Sequence, residues 1–118
     1  MTALCRKGDT LTTGHLCDTT TVLDTPSQST VYADGKLVAR ITDKTVSHLI
    51  RVGDACVPHI ETVKQGSPDV YVAGLKVARV NDSVDSGKLT TGSSTIFVNG
   101  STGTTTQSDV LTESSVLF

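Results

Sequence analysis

Residues 31–43, VYADGKLVARITD, return thirty-nine positions later at residues 70–82 as VYVAGLKVARVND. Val31-Tyr32, Gly35, Val38-Ala39-Arg40 and Asp43 reappear as Val70-Tyr71, Gly74, Val77-Ala78-Arg79 and Asp82, too many matches for a chance likeness. Asp34-Gly35 between two apolar runs predicts a hairpin, with one strand around 29–33 and the other around 37–41. A third, degraded copy stands at Ile96-Phe97-Val98-Asn99-Gly100, and near the N-terminus Arg6-Lys7-Gly8-Asp9 holds the place of the two later Arg-x-x-Asp phrases. The chain therefore reads as three units. Each starts at an Asp (Asp9, Asp43, Asp82), runs through a loop and ends in an aromatic-bearing strand and a turn. One such unit is too small to bury its own apolar face, so the three must pack together. Pseudo-threefold symmetry is the expected result, and a surface of that kind is best met by a threefold partner.

Composition agrees with an all-β chain. Thr and Ser together number 32 of 118 residues and Val 15, while aromatics make up 3% and Trp is absent, so the core must be built from Val, Ile, Leu and Ala on strands. A net charge of -2, a pI near 5.8 and scattered Lys and Arg leave no basic stripe for nucleic acid. No apolar run is long enough to span a bilayer, and MTALCRKGD lacks the apolar core of a signal peptide, so synthesis in the cytosol is expected. Three cysteines, Cys5, Cys17 and Cys56, form an odd set in such a chain, which makes a disulfide framework improbable and favours metal binding or burial. One domain is expected over residues 1–100. Residues 101–118, STGTTTQSDVLTESSVLF, form a Ser/Thr-rich tail that is either flexible or an arm with a docking apolar end.

The chemistry concentrates in residues 48–59, HLIRVGDACVPH. Gly and Pro within it predict a bent loop rather than a continuous strand or helix. Cys56-x-x-His59 has the spacing by which two ligands approach one ion from a tight turn, and His48 lies eight residues earlier with Gly53-Asp54 between to reverse the chain. His15 sits six residues beyond Asp9, much as His48 sits five beyond Asp43, so the two histidines are expected on matching loops. His15, His48, Cys56 and His59 would close a tetrahedral shell, leaving no open position for water and hence a structural site. Each residue also has a plainer reading: a loop histidine is often merely solvated, Cys17 competes with Cys56 for the thiolate role, and Cys5 reads as a small buried hydrophobe. Asp9, Asp43 and Asp82 read as turn caps, and Arg40 and Arg79 as ties to loop carbonyls or to those carboxylates. No nucleophile elbow or phosphate loop occurs, and no Glu is expected beside the ligands as a general base. The third loop, Asp82 to Gly92, holds no His or Cys, so the site should draw on only two of the three units.

The chain resembles the PAAR-repeat proteins, small tips of contractile injection machines. The likeness rests on Val-Ala-Arg at 38–40 and 77–79 in place of the family's Pro-Ala-Ala-Arg phrase, and on the Asp43 and Asp82 that follow. Gly66-Ser67-Pro68, Gly92-Ser93, Gly14-His15, His48 and Cys56-x-x-His59 complete it, over roughly residues 5–100. Neither copy carries the Pro-Ala that names the family. The resemblance implies a small conical all-β fold without enzymatic activity, whose base sits on a trimeric β-helical spike, one tip per trimer, and which is monomeric alone. It implies a metal near the apex, Zn2+ or iron, on three His and one Cys, here His15, His48, His59 and Cys56. The spike would be that of a contractile phage tail, placing the protein in the virion at the baseplate and transiently at the target-cell membrane. One alternative is the valine-glycine-repeat spike of a type VI secretion system, with secretion by that route; a reading from another class, on the histidines alone, is a small zinc hydrolase with an open His-rich site.

Overall fold

The structure, a computed structural model, describes residues 2–98 and contains no helix among them. The tail expected at 101–118, and Asn99-Gly100 of the third copy, lie outside the described residues. Twelve short strands run in chain order: β1 (Thr2–Ala3), β2 (Thr10–Thr12), β3 (Thr20–Val22), β4 (Tyr32–Ala33), β5 (Lys36–Leu37), β6 (His48–Val52), β7 (Ala55–His59), β8 (Tyr71–Val72), β9 (Leu75–Lys76), β10 (Ser83–Val84), β11 (Gly87–Lys88) and β12 (Phe97–Val98). They form six antiparallel pairs, and β1 pairs with β12, so the first and last described segments meet as one ribbon.

Both copies of the repeated phrase fold as hairpins with the same turn. Asp34-Gly35 and Ala73-Gly74 both take positive φ at both central positions (56° and 81°, 50° and 87°), the backbone that joins two antiparallel strands with matching twist. Strand pairing in the first hairpin covers only Tyr32–Ala33 with Lys36–Leu37, shorter than 29–33 with 37–41, because the chain after Val38 leaves its own hairpin for the next unit. The amide of Ala39 donates to Cys5 O (3.0 Å), that of Cys5 to Ala78 O (2.9 Å), and that of Ala78 to Ala39 O (2.9 Å). These three bonds close a circuit in which every unit holds the next. A second circuit repeats it, from Lys7 to Leu37, Ile41 to Lys76 and Val80 to Ala3. Cys5 and the N-terminal strand thus supply the third copy of the Val-Ala-Arg position, which the carboxy-terminal copy lacks.

Each circuit strand leads into an Arg-x-x-Asp turn. The Asp amide donates to the Arg carbonyl at 3.0, 3.1 and 3.0 Å for Asp9, Asp43 and Asp82, and each Asp Oδ2 accepts from the Arg amide at 2.7, 2.8 and 2.8 Å. Gly8, Thr42 and Asn81 take positive φ at the third position, giving type II turns. The Asp residues are therefore turn caps, as read from the sequence. They also meet their arginines: Asp9 accepts from Arg6 Nε and Nη2 (3.0 and 3.1 Å), and Asp82 from Arg79 in the same way (3.0 and 2.9 Å). In the middle unit Ser27 comes between, accepting from Arg40 Nη2 and donating to Asp43, and the buried Arg40 Nε is left without a hydrogen-bond partner.

Successive residues on a strand face opposite sides, so the circuit separates two cores. Leu4, Val38 and Val77 point to one, with Val70, Val72 and Val98 from the hairpins. Cys5, Ala39 and Ala78 point to the other, with Leu11, Leu23 and Leu89 from the loops. Cys5 is fully buried and unbridged, the small hydrophobe expected, and burial pushes its thiol far above the ordinary range, which leaves it a poor nucleophile.

Candidate metal centre

Beyond the second core, the three loops converge. The first passes from β2 to β3 through Gly14 and His15; the second is the β6–β7 hairpin; the third is the β10–β11 hairpin with Asp85 at its turn. Gly14 (φ +77°) lies so close to Ser86 that a Cβ there would overlap the Ser86 carbonyl, and a Cβ on Gly87 would overlap that of Thr12. These close approaches, with Ser86 N donating to Thr13 O (3.0 Å), bring His15 against Asp85. In the second loop His48 and His59 are register partners at the open end of the hairpin, on one face of it. Asp85 itself takes positive φ (58°), an uncommon backbone for a residue with a Cβ and of the kind that collects at functional sites.

The result is one cluster. His15 Nε2 lies 2.9 Å and His48 Nε2 2.8 Å from Asp85 Oδ2, and His59 Nε2 lies 3.4 Å from Asp85 Oδ1. The rings of His15 and His48 stack, and His59 stands edge-on to both. Asp85 and His48 are almost wholly buried, with side chains 3% and 2% exposed. His48 Nδ1 lies 2.9 Å from Val46 O and His15 Nδ1 3.3 Å from Leu16 O. A carbonyl only accepts, so both Nδ1 atoms carry a proton, and each ring turns its Nε2 toward the carboxylate. A ring nitrogen at such a distance from a carboxylate oxygen is held there by a proton or by a shared cation between them. Burial pushes the Asp85 carboxyl up, but hydrogen bonds to His48 and His15, and then to His59, outweigh it and hold it below the usual carboxylate range. The four donor atoms lie within 4.8 Å of one another, so His15, His48, His59 and Asp85 could hold a metal.

The structure brings His15, His48 and His59 together with Asp85, and leaves Cys56 outside the group. The segment 48–59 is a regular hairpin turning at Gly53-Asp54, not a bent loop, and on a strand residues three apart face opposite sides. Cys56 therefore points away from His59, and its sulfur is bonded to Cys17, with Cα atoms 6.0 Å apart. The disulfide judged improbable is present, and Cys56 is not among the clustered donors. The third loop does contribute, through Asp85, so the cluster draws on all three units. A Glu also stands nearby: Glu61 Oε2 lies 3.8 Å from His59 Nε2, contrary to the expectation of none. Asp85 had a signal, being three residues beyond Asp82 in the loop that matches those of His15 and His48, but an Asp in a turn is ordinary enough to pass unnoticed.

A family model described as PAAR motif matches residues 13–88, more than half of the chain and the whole of the three-loop cluster. No curated protein matches the chain.

Proposed function

Because the chain belongs to the PAAR motif family, a family of spike-tip proteins, we propose that it caps the blunt end of a trimeric β-helical spike, that of a contractile phage tail, one tip per trimer. The observation that carries this reading is a set of exposed aromatics at matching positions. Tyr32, Tyr71 and Phe97, one on the hairpin ribbon of each unit, are 56%, 46% and 38% exposed beside the first core. Three large apolar side chains, one per unit of a closed circuit, suit a partner with three equivalent chains and would cover its strand ends. The loops that carry the His/Asp cluster lie beyond the other core, which supports a reading in which the cluster sits toward the narrow end of a cone. There His15, His48, His59 and Asp85 would hold Zn2+, with iron the alternative for this donor set. An ion bound only by the folded loops adds its binding free energy to folding where few residues remain to form a core. The role is structural, without catalysis.

Co-expression with a spike gene, followed by measurement of the mass of the complex, tests the reading. The expected result is one tip per three spike chains, and loss of capture by a Tyr32→Ala/Tyr71→Ala/Phe97→Ala variant whose melting temperature is little changed. Undiminished capture by that variant would remove the aromatic set from the interface. A valine-glycine-repeat spike captured in preference to a phage spike would assign the tip to a secretion system.

A further inference from the structure

We propose that the Cys17–Cys56 disulfide is a redox lock on the His/Asp cluster, setting how long a bound metal ion stays. This rests on the reading of that cluster as a metal site. The bond joins the loop that carries His15 to the hairpin that carries His48 and His59, and so links three of the four donors covalently. Neither cysteine is among the clustered donors, and Cys56 lies on the hairpin face opposite His59, so opening the bond removes no ligand and acts only through position.

Apart from the ring contacts of His15 with His48 and His59, three hydrogen bonds hold the first loop to the hairpin. Arg51 N donates to Leu16 O (3.1 Å), Asp18 N to Leu49 O (3.0 Å), and Leu49 N to Asp18 Oδ2 (2.7 Å). The flanking side chains Leu16, Leu49 and Val52 are 57%, 39% and 59% exposed, so little apolar burial reinforces these bonds. Cys17 also takes positive φ (80°), a conformation that disfavours residues with a Cβ and that the crosslink helps to hold. Cys56 is an exposed residue that a reductant can reach. Closure transfers two electrons from the two thiols to a disulfide oxidant such as oxidised glutathione, whose own S–S bond becomes two thiols as the protons pass to it. A thiol or phosphine reductant reverses the step.

The test loads the full chain with Zn2+ and follows transfer of the ion to a chromogenic chelator. Three forms are compared: oxidised protein, protein reduced with tris(carboxyethyl)phosphine, and a Cys17→Ser/Cys56→Ser variant, with the disulfide state read by mass spectrometry. Release at least about tenfold faster from the reduced protein and the variant than from the oxidised form is expected. Should the variant fail to fold, the reduced wild type carries the comparison. Equal release from oxidised and reduced protein overturns the lock and leaves the metal reading standing. Failure of every form to bind Zn2+ overturns the metal reading and the lock with it.

Discussion

Asp85→Ala should abolish tight metal binding and lower the melting temperature by on the order of 15 °C or more. The carboxylate is the one anionic donor within the cluster, and Asp85 alone brings in the third loop. Without it three neutral imidazoles remain, two of them from one hairpin. A ligand present at a thousandfold its dissociation constant stabilises the native state by about 4 kcal/mol. For a domain near 100 residues, each kcal/mol moves the midpoint by roughly 4–8 °C. Calorimetry with and without a chelator separates this from any effect on packing: chelated wild type and Asp85→Ala should melt close together. A variant that keeps both its metal and its midpoint would refute Asp85 as a ligand.

Asp9→Ala is expected to cost about 3–5 kcal/mol without touching the metal site, because it leaves part of a buried charge without a counter-ion. Asp9 is 4% exposed and accepts from the Arg6 amide, Nε and Nη2 and from the Thr91 hydroxyl. Its loss strips that edge of the guanidinium, while Asp34 still holds Nη1 at 2.9 Å. It also uncaps the turn that hands the first circuit strand to the loop. Replacing both partners with apolar residues, Arg6→Met with Asp9→Leu, should cost much less than Asp9→Ala alone, since no charge is then buried unpaired. Chemical denaturation of the single and double variants measures both effects. Equal losses in the two would mean that the turn, and not the ion pair, carries the energy.

The features legible in the sequence were those with local causes. The Asp34-Gly35 turn follows from the φ preferences of its residues, the Ala73-Gly74 turn from its alignment with that one in the repeat, and the Asp caps from a short side chain that reaches back three residues. Val38, Ala39, Val77 and Ala78 are buried because the repeat aligns them, and Cys5 is buried because the N-terminal strand supplies the missing third copy. What escaped was set by tertiary geometry. Cys56-x-x-His59 suggests a shared ion only if the chain turns between them, yet Ile50, Val52 and Val57 made a hairpin the better choice, and its alternation sends the two side chains apart. The partner of Cys56 depended on the first loop pairing along β6 through Cys17 and Ile50, a contact that no spacing announces. Asp85 joined the site because Gly14 and Gly87 let the first and third loops approach as closely as backbones can.

The central claim is a metal held by His15, His48, His59 and Asp85 while Cys56 stays in its disulfide, and X-ray absorption spectroscopy of the zinc-loaded, oxidised protein tests it most directly. The expected spectrum shows a shell of nitrogen and oxygen scatterers alone at about 2.0–2.2 Å with the multiple-scattering pattern of three imidazoles. A sulfur scatterer at about 2.3 Å, or a shell with fewer than three imidazoles, would contradict it.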